Sequence, residues 1–309
     1  METLDYQSVR CGFHSEQPLR VSKSSSHLPL TGEVPLSKSL SVILKDRTVY
    51  TRPLVKSLKR LFRKIVNREI RVLRRSGVIQ LFSNRSGKKI QKSEIPVFKA
   101  ITLQDIKDFF QAIVKYGARL RDRIGRRLSA KYKVKWVLDR EDNEAFLSRK
   151  RRILETSMRK YGEGLEDTVR DILVGAASET KRPTMTEIAR RIKVAALGHA
   201  GVLGENVAKR IAATEMASFQ NYGMYQAYKK AKIKRIKWTS IIDSRTRPAQ
   251  RRVPRANHIV IDGRETDLGV PFIMPITNQP MLYPGDPMGS IYDIVNCRCT
   301  VVPVPKPKR

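Results

Sequence analysis

Acidic residues are scarce in this chain. Its 309 residues hold 29 Asp and Glu against 62 Lys and Arg, a formal net charge of +33. Cysteine is scarcer still: three residues cannot build a disulfide scaffold for a chain this long, so a reducing interior is expected. No apolar run approaches the roughly 18–20 residues a bilayer-spanning helix needs, which excludes one. The opening METLDYQSVRCGFHSEQPLR carries no apolar stretch behind its charges, so no cleaved secretory signal is expected. What is there is a 40% hydrophobic composition, enough for a core, at a length that suits one large or two modest domains. A positive excess of this size points to a polyanion nearby: DNA, RNA or an acidic protein surface.

The excess is uneven. Residues 51–100 carry +13 and residues 101–160 carry +9, two thirds of the total, whereas 161–309 carry +10. Residues 1–50 lack apolar periodicity and read as extended chain. A basic helical region, 51–180, follows. Its first helix is expected over 53–76, with Pro53 in the first turn and Leu54, Leu58, Phe62, Ile65 and Leu73 on one face. Lys56, Lys59, Arg60, Arg63, Lys64, Arg71, Arg74 and Arg75 take much of the rest. A second helix is expected over 102–130, capped by Thr102 with Asp105, with Arg119, Arg123, Arg126 and Arg127 among its cations. Lys131 to Leu138 alternates apolar and basic residues and suggests a strand. Helices over 140–175, from Thr184 to about Ala196, and over about 205–232 complete the body. After Trp238 the texture changes: residues 239–309 hold 10 of the 16 prolines, with short apolar runs at 259–261, 270–274 and 299–304 that suggest small strands. The expected fold class is α+β: a mostly helical body, then a small C-terminal α+β module with short strands. Residues 305–309 read as a basic tail.

From Arg210 the chain reads RIAATEMASFQNYGMYQAYKKAKIKRIKWTSIIDSRTRP, with Thr214, Glu215, Trp238, Asp243, Arg245 and Arg247 at its marked positions. His258 follows, separated by three residues from the pair Asp262 and Gly263. MLYPGDPMGS then carries Tyr283, Pro284, Gly285 and Asp286, and IVNCRCTVVPV carries Asn296, Cys297 and Cys299. In this order the pieces resemble phage minor head (head morphogenesis) proteins of the Mu F type, over a module spanning 181–304. Two positions depart from that pattern. Ala213 stands where the family has Arg, and Gln250 where it has His. His258 is then either the displaced equivalent or part of a remodelled site. The resemblance implies a minor structural component of a tailed-phage head, inside the capsid near the portal. It implies portal and capsid or scaffold proteins as partners, a role in assembly, with genome delivery as an open option, and a virion location after assembly in the host cytoplasm.

Cys297 and Cys299 read first as small buried cysteines of a terminal strand. The sharper alternative is a zinc site with His258 and a carboxylate such as Asp243 or Asp262, but structural zinc cysteines usually stand two to four residues apart. No metal or other cofactor is therefore expected. Asp243, Arg245, Arg247 and Asp262 read as a hydrogen-bonded loop, Tyr283 to Pro287 as turn chemistry, Asn296 as a turn residue. Trp238 is expected to pack the long helix onto the module, with base stacking the weaker alternative. The basic helices are expected to meet double-stranded DNA without sequence preference, in a salt-sensitive manner, with no membrane required. No catalytic residue is evident. Two rival readings stay open: a nuclease or toxin-like enzyme in residues 1–180 fused to the module, and a basic nucleic-acid-binding protein unrelated to phage.

Overall fold

The computed structural model describes residues 36–84, 91–95, 100–181, 183–199, 201–241 and 258–305. Within them the architecture is α+β, as expected. Helices α1 (Leu36–Arg75), α2 (Val78–Asn84), α3 (Leu103–Lys131), α4 (Arg140–Ser178), α5 (Met185–Leu197) and α6 (Glu205–Lys230) form the body. Strands β1 (Arg235–Thr239), β2 (Glu265–Asp267), β3 (Phe272–Ile273) and β4 (Pro280–Met281), the short helix α7 (Ile291–Ile294) and strand β5 (Thr300–Pro303) form the module. Residues 1–35, 85–90, 96–99, 182, 200, 242–257 and 306–309 lie outside the described residues, and with them most of the expected N-terminal segment and the expected basic tail.

The body is organised around α6. Helix α3 packs along it, and α1 covers both. From Thr214 to Tyr228 every residue of α6 is buried. Its sequence explains this: apart from Glu215, that stretch carries no charge and mixes small, aromatic and neutral polar side chains, so no side of the helix prefers water. Close approach of α3 depends on Gly117, where an added Cβ would stand 2.5 Å from the Phe219 ring. Phe219 and Tyr222 in turn pack on Phe146 of α4, the Tyr222 ring stacked at 4.1 Å.

The helix starts show which local signals hold. Thr102 and Asp105 form a complete capping box at α3. Thr184 accepts the Glu187 N–H at α5, while the Glu187 carboxylate turns outward to Arg190 and Arg191. At α1 the expected start fails. The helix begins at Leu36, and Pro53 sits inside it, so residues 36–50 are helical rather than extended. Burial of Leu54, Leu58, Phe62, Ile65 and Val66 against α3 and α6 holds this segment in helical form despite the missing N–H.

Residues 131–138 are not a strand. Alternate residues are half-buried as the pattern suggested, but no strand lies beside them. Trp136 instead lays its ring where a Cβ on Gly125 would be, so the alternation records packing on a helix.

In the module β1 is central, antiparallel to β2 (Arg235↔Asp267) and to β5 (Trp238↔Val301). The second pair is the β3–β4 hairpin, Phe272↔Met281. The apolar run 299–304 delivers β5 and 270–274 delivers β3, whereas 259–261 forms turns.

Candidate functional site

Among the described residues, the segments 283–287 and 296–300 meet one flank of α6 through hydrogen bonds from Thr214, Ser218 and Asn221. Thr214 Oγ1 accepts the Asn296 N–H at 3.0 Å. Ser218 Oγ donates to the Gly285 carbonyl at 2.6 Å. Asn221 Nδ2 donates to the Pro284 and Cys299 carbonyls, and its Oδ1 accepts from Thr300 Oγ1. One buried amide thus joins the 283–287 turn, the Cys299 backbone and β5. Gly285 is required there: its φ is +79°, and a Cβ would stand 3.0 Å from Ser218 Cα. Asp286 accepts the Leu282 and Met288 N–H groups, so its turn is self-bonded as expected; burial pushes its carboxyl above the ordinary range. Tyr283 is buried beside Tyr222 and Tyr225. Asn296 adopts left-handed φ, +55°, which Asn tolerates.

Glu215 sits 2.8 Å from Lys150 Nζ of α4, both nearly enclosed, close enough for an ion pair though not aligned as a hydrogen bond. Lys150 belongs to no motif, yet it lies between Phe146 and Leu154 at helical spacing, a cation in an apolar phase. Trp238 is fully buried in β1 against His258 and Phe272, which leaves no face for base stacking.

Behind Trp238 lies a cluster of three buried ligating side chains, His258, Cys297 and Cys299. His258 Nδ1 stands 3.6 Å from Cys297 Sγ and 3.4 Å from Cys299 Sγ. The other ring nitrogen, Nε2, faces Asp293 Oδ1 at 3.6 Å. Asp293 is itself wholly buried and held by Thr277 Oγ1 at 2.5 Å. Ser240 Oγ bonds the His258 carbonyl and lies 3.5 Å from Cys299 Sγ. The Cys299 thiol is drawn well below its ordinary range, first by the Cys297 sulfur and also by the imidazole and Ser240, against burial. From α1 the buried Arg47 donates to Gln220 Oε1 at 2.8 Å and reaches the Arg298 carbonyl at 3.5 Å. Burial lowers its guanidinium to about 10, which the two cysteines oppose. Of the carboxylates expected near the cluster, Asp262 is exposed and accepts the Ser240 N–H instead, and Asp243 lies outside the described residues together with Arg245 and Arg247. Gly263 takes a turn with φ +76°. Asp293 and Arg47 were missed: the first is a lone acid in an apolar run, the second comes from the far end of the chain and leaves no local signal.

The cations of the body divide in two. Lys59 binds Glu205, Lys64 binds Asp108, and Arg123 and Arg127 both clamp the buried Asp46. Those four are used internally. Lys56, Arg60, Arg63, Arg71, Arg74, Arg75, Arg119 and Arg126 are exposed and make no ion pair with a described residue. On α1, Lys45, Arg52, Lys56, Arg60, Arg63, Arg71 and Arg74 recur at steps of three, four, seven or eight, the spacings that keep one helix face, so they form one stripe. It runs about 44 Å at 1.5 Å per residue. Lys45 and Arg52 extend it beyond the cations expected from the sequence, because the helix starts earlier.

No protein-family model matches the chain, and no solved structure matches it. Among curated proteins, the uncharacterized protein YqbB of Bacillus subtilis (strain 168) is 29% identical over 98 residues, 31% of this chain and 30% of that protein. The match spans under a third of that relative's length.

Proposed function

We propose that this chain is a minor head protein of a tailed phage whose basic helices α1 and α3 contact packaged double-stranded DNA without reading its sequence. The module 181–304 docks to portal or shell proteins during assembly. The observation that carries the DNA contact is the cationic stripe of α1: guanidinium and ammonium groups recurring about once per turn, exposed, with no described acid to neutralise them. Such a row suits a phosphate backbone and needs no base-reading group. A membrane surface fits less well. An interfacial helix must insert its apolar face, and the apolar face of α1 is buried in the core. No described helix is long and apolar enough to cross a membrane. The head setting rests on the resemblance.

The test is filter binding of the full chain to two unrelated DNA duplexes across a salt series. Equal affinity for both is expected, with log affinity falling against log salt by about 0.9 per neutralised phosphate. Replacing Arg60, Arg63, Arg71 and Arg74 by Gln should flatten that slope by roughly 0.9 for each phosphate no longer neutralised. Unchanged affinity and slope in the quadruple variant would overturn the DNA contact. Absence of the chain from purified DNA-filled heads would overturn the setting.

A further inference from the structure

We propose that His258, Cys297 and Cys299 bind one zinc ion, which fastens the start of β5 to the loop that precedes β2. Three observations carry this beyond a packed pair of thiols.

The first is distance. Zinc bonds of about 2.05 Å to nitrogen and 2.3 Å to sulfur, at a tetrahedral angle, separate the two donors by roughly 3.5 Å. His258 Nδ1 lies 3.6 and 3.4 Å from the two sulfurs, and all three donor atoms lie within 4.8 Å of one another. A thiol–imidazole hydrogen bond explains one such distance. A single Nδ1 has one in-plane direction for a proton, and two sulfurs at nearly equal range suit a shared ion better.

The second is the far side of the ring. Zinc-binding imidazoles present their remaining nitrogen to a carboxylate that fixes tautomer and orientation. Nε2 of His258 faces Asp293, a carboxylate with no solvent exposure, whose other oxygen is held by Thr277.

The third is backbone support for the short cysteine spacing. Residues two apart on an extended segment point the same way. The segment is fixed on both sides, by the Asn296 N–H on Thr214 and by the Cys299 carbonyl on Asn221. Charge also balances. Two thiolates neutralise the ion. A donor set of two thiolates and an imidazole selects zinc over magnesium or calcium. Three protein ligands leave one position for water or another donor.

The experiment uses the full chain purified without chelators. Elemental analysis should give one zinc per chain. Titration of the demetallated protein with Co²⁺ should produce thiolate-to-cobalt charge-transfer absorption with the intense visible bands of a tetrahedral site. Cys297→Ser and His258→Ala should abolish both. Asp293→Asn should retain the stoichiometry but weaken zinc 10- to 100-fold in competition with a chromogenic chelator, at about the cost of losing an outer-shell partner. If the cysteine and histidine variants fail to fold, the wild-type metal content and cobalt spectrum decide alone. A folded wild-type chain without stoichiometric zinc and without those bands would overturn the site. So would copper or iron in place of zinc, or full zinc retention in folded Cys297→Ser and Cys299→Ser.

Discussion

At the scale of single residues, the motif positions act mainly as fasteners. Thr214, Glu215, Ser218 and Asn221 follow one flank of α6 and each secures a different segment. The Lys150–Glu215 pair is the most exposed to disruption, because both charges are buried. Lys150→Met leaves an uncompensated carboxylate and should lower unfolding free energy by about 3–5 kcal/mol in urea titration. Lys150→Met with Glu215→Met removes both charges and should recover most of that loss. Equal destabilisation by the single and the double variant would show that Lys150 acts by packing, not by charge. The sequence displayed the fasteners as a motif but not their partners. Lys150 was missed too, although its helical phase is a signal that could have found it; Arg47 and Asp293 carry none, because their environment is made by chain 173 to 251 residues away in one case and by a ring 35 positions upstream in the other.

At the scale of elements, α1 shows what periodicity reveals and what it hides. The apolar face over 53–76 was readable, and so was most of the cation stripe. The start was not, since a proline normally marks a first turn and here lies in the interior. Restoring the missing N–H should help. Pro53→Ala is expected to raise stability by about 1–3 kcal/mol, read as a shift of the urea midpoint at unchanged slope. An unchanged or lower midpoint would mean that the ring's own packing outweighs the missing bond. Strand β1 leaves a weak local signal: Lys234, Arg235 and Lys237 directly follow the long helix, and the alternation of Ile236 and Trp238 gains meaning only once β2 and β5 flank it.

The clamp between α1 and α6 also predicts a pH response. Glu205 is held down to about 2, first by Lys59 and then by Lys209, against an ordinary value of 4.5. A depressed carboxylate stabilises the fold above its unfolded value, and that contribution is lost as pH falls through the folded one. The stability gap between wild type and Glu205→Gln should therefore be constant above pH 5 and close between about pH 4.5 and pH 2. Both groups are accessible, so the gap should be small and should shrink in high salt. A gap that widens on acidification would refute the assignment.

For the whole molecule, charge and motif remain segregated. The excess of +33 is concentrated in the helical body, and the module that carries the motifs is less basic. Self-repulsion of that size weakens the compact state. A polyanion that binds only the folded chain raises its stability by mass action. Thermal unfolding should shift upward with added duplex DNA at low salt, and the shift should vanish at high salt. A shift that persists at high salt would mean the duplex is not held by phosphate contacts. The α+β class was legible because composition changes abruptly after Trp238, where short strands replace the long helices. The assembly of distant side chains around His258 was not, because no local pattern encodes it.

The enclosure of α6 sets an order of events during synthesis. Its inner sides can be covered by α1 and α3 as soon as it leaves the ribosome, because those helices come earlier. The flank bearing Asn221 waits for the 283–287 turn and β5, which are made 63 to 79 residues later. Until then a row of apolar and amide side chains faces water on a nascent chain that is already strongly cationic. Pairing of β5 therefore covers the last open side of α6, and a chain that stalls before β5 would leave that flank exposed.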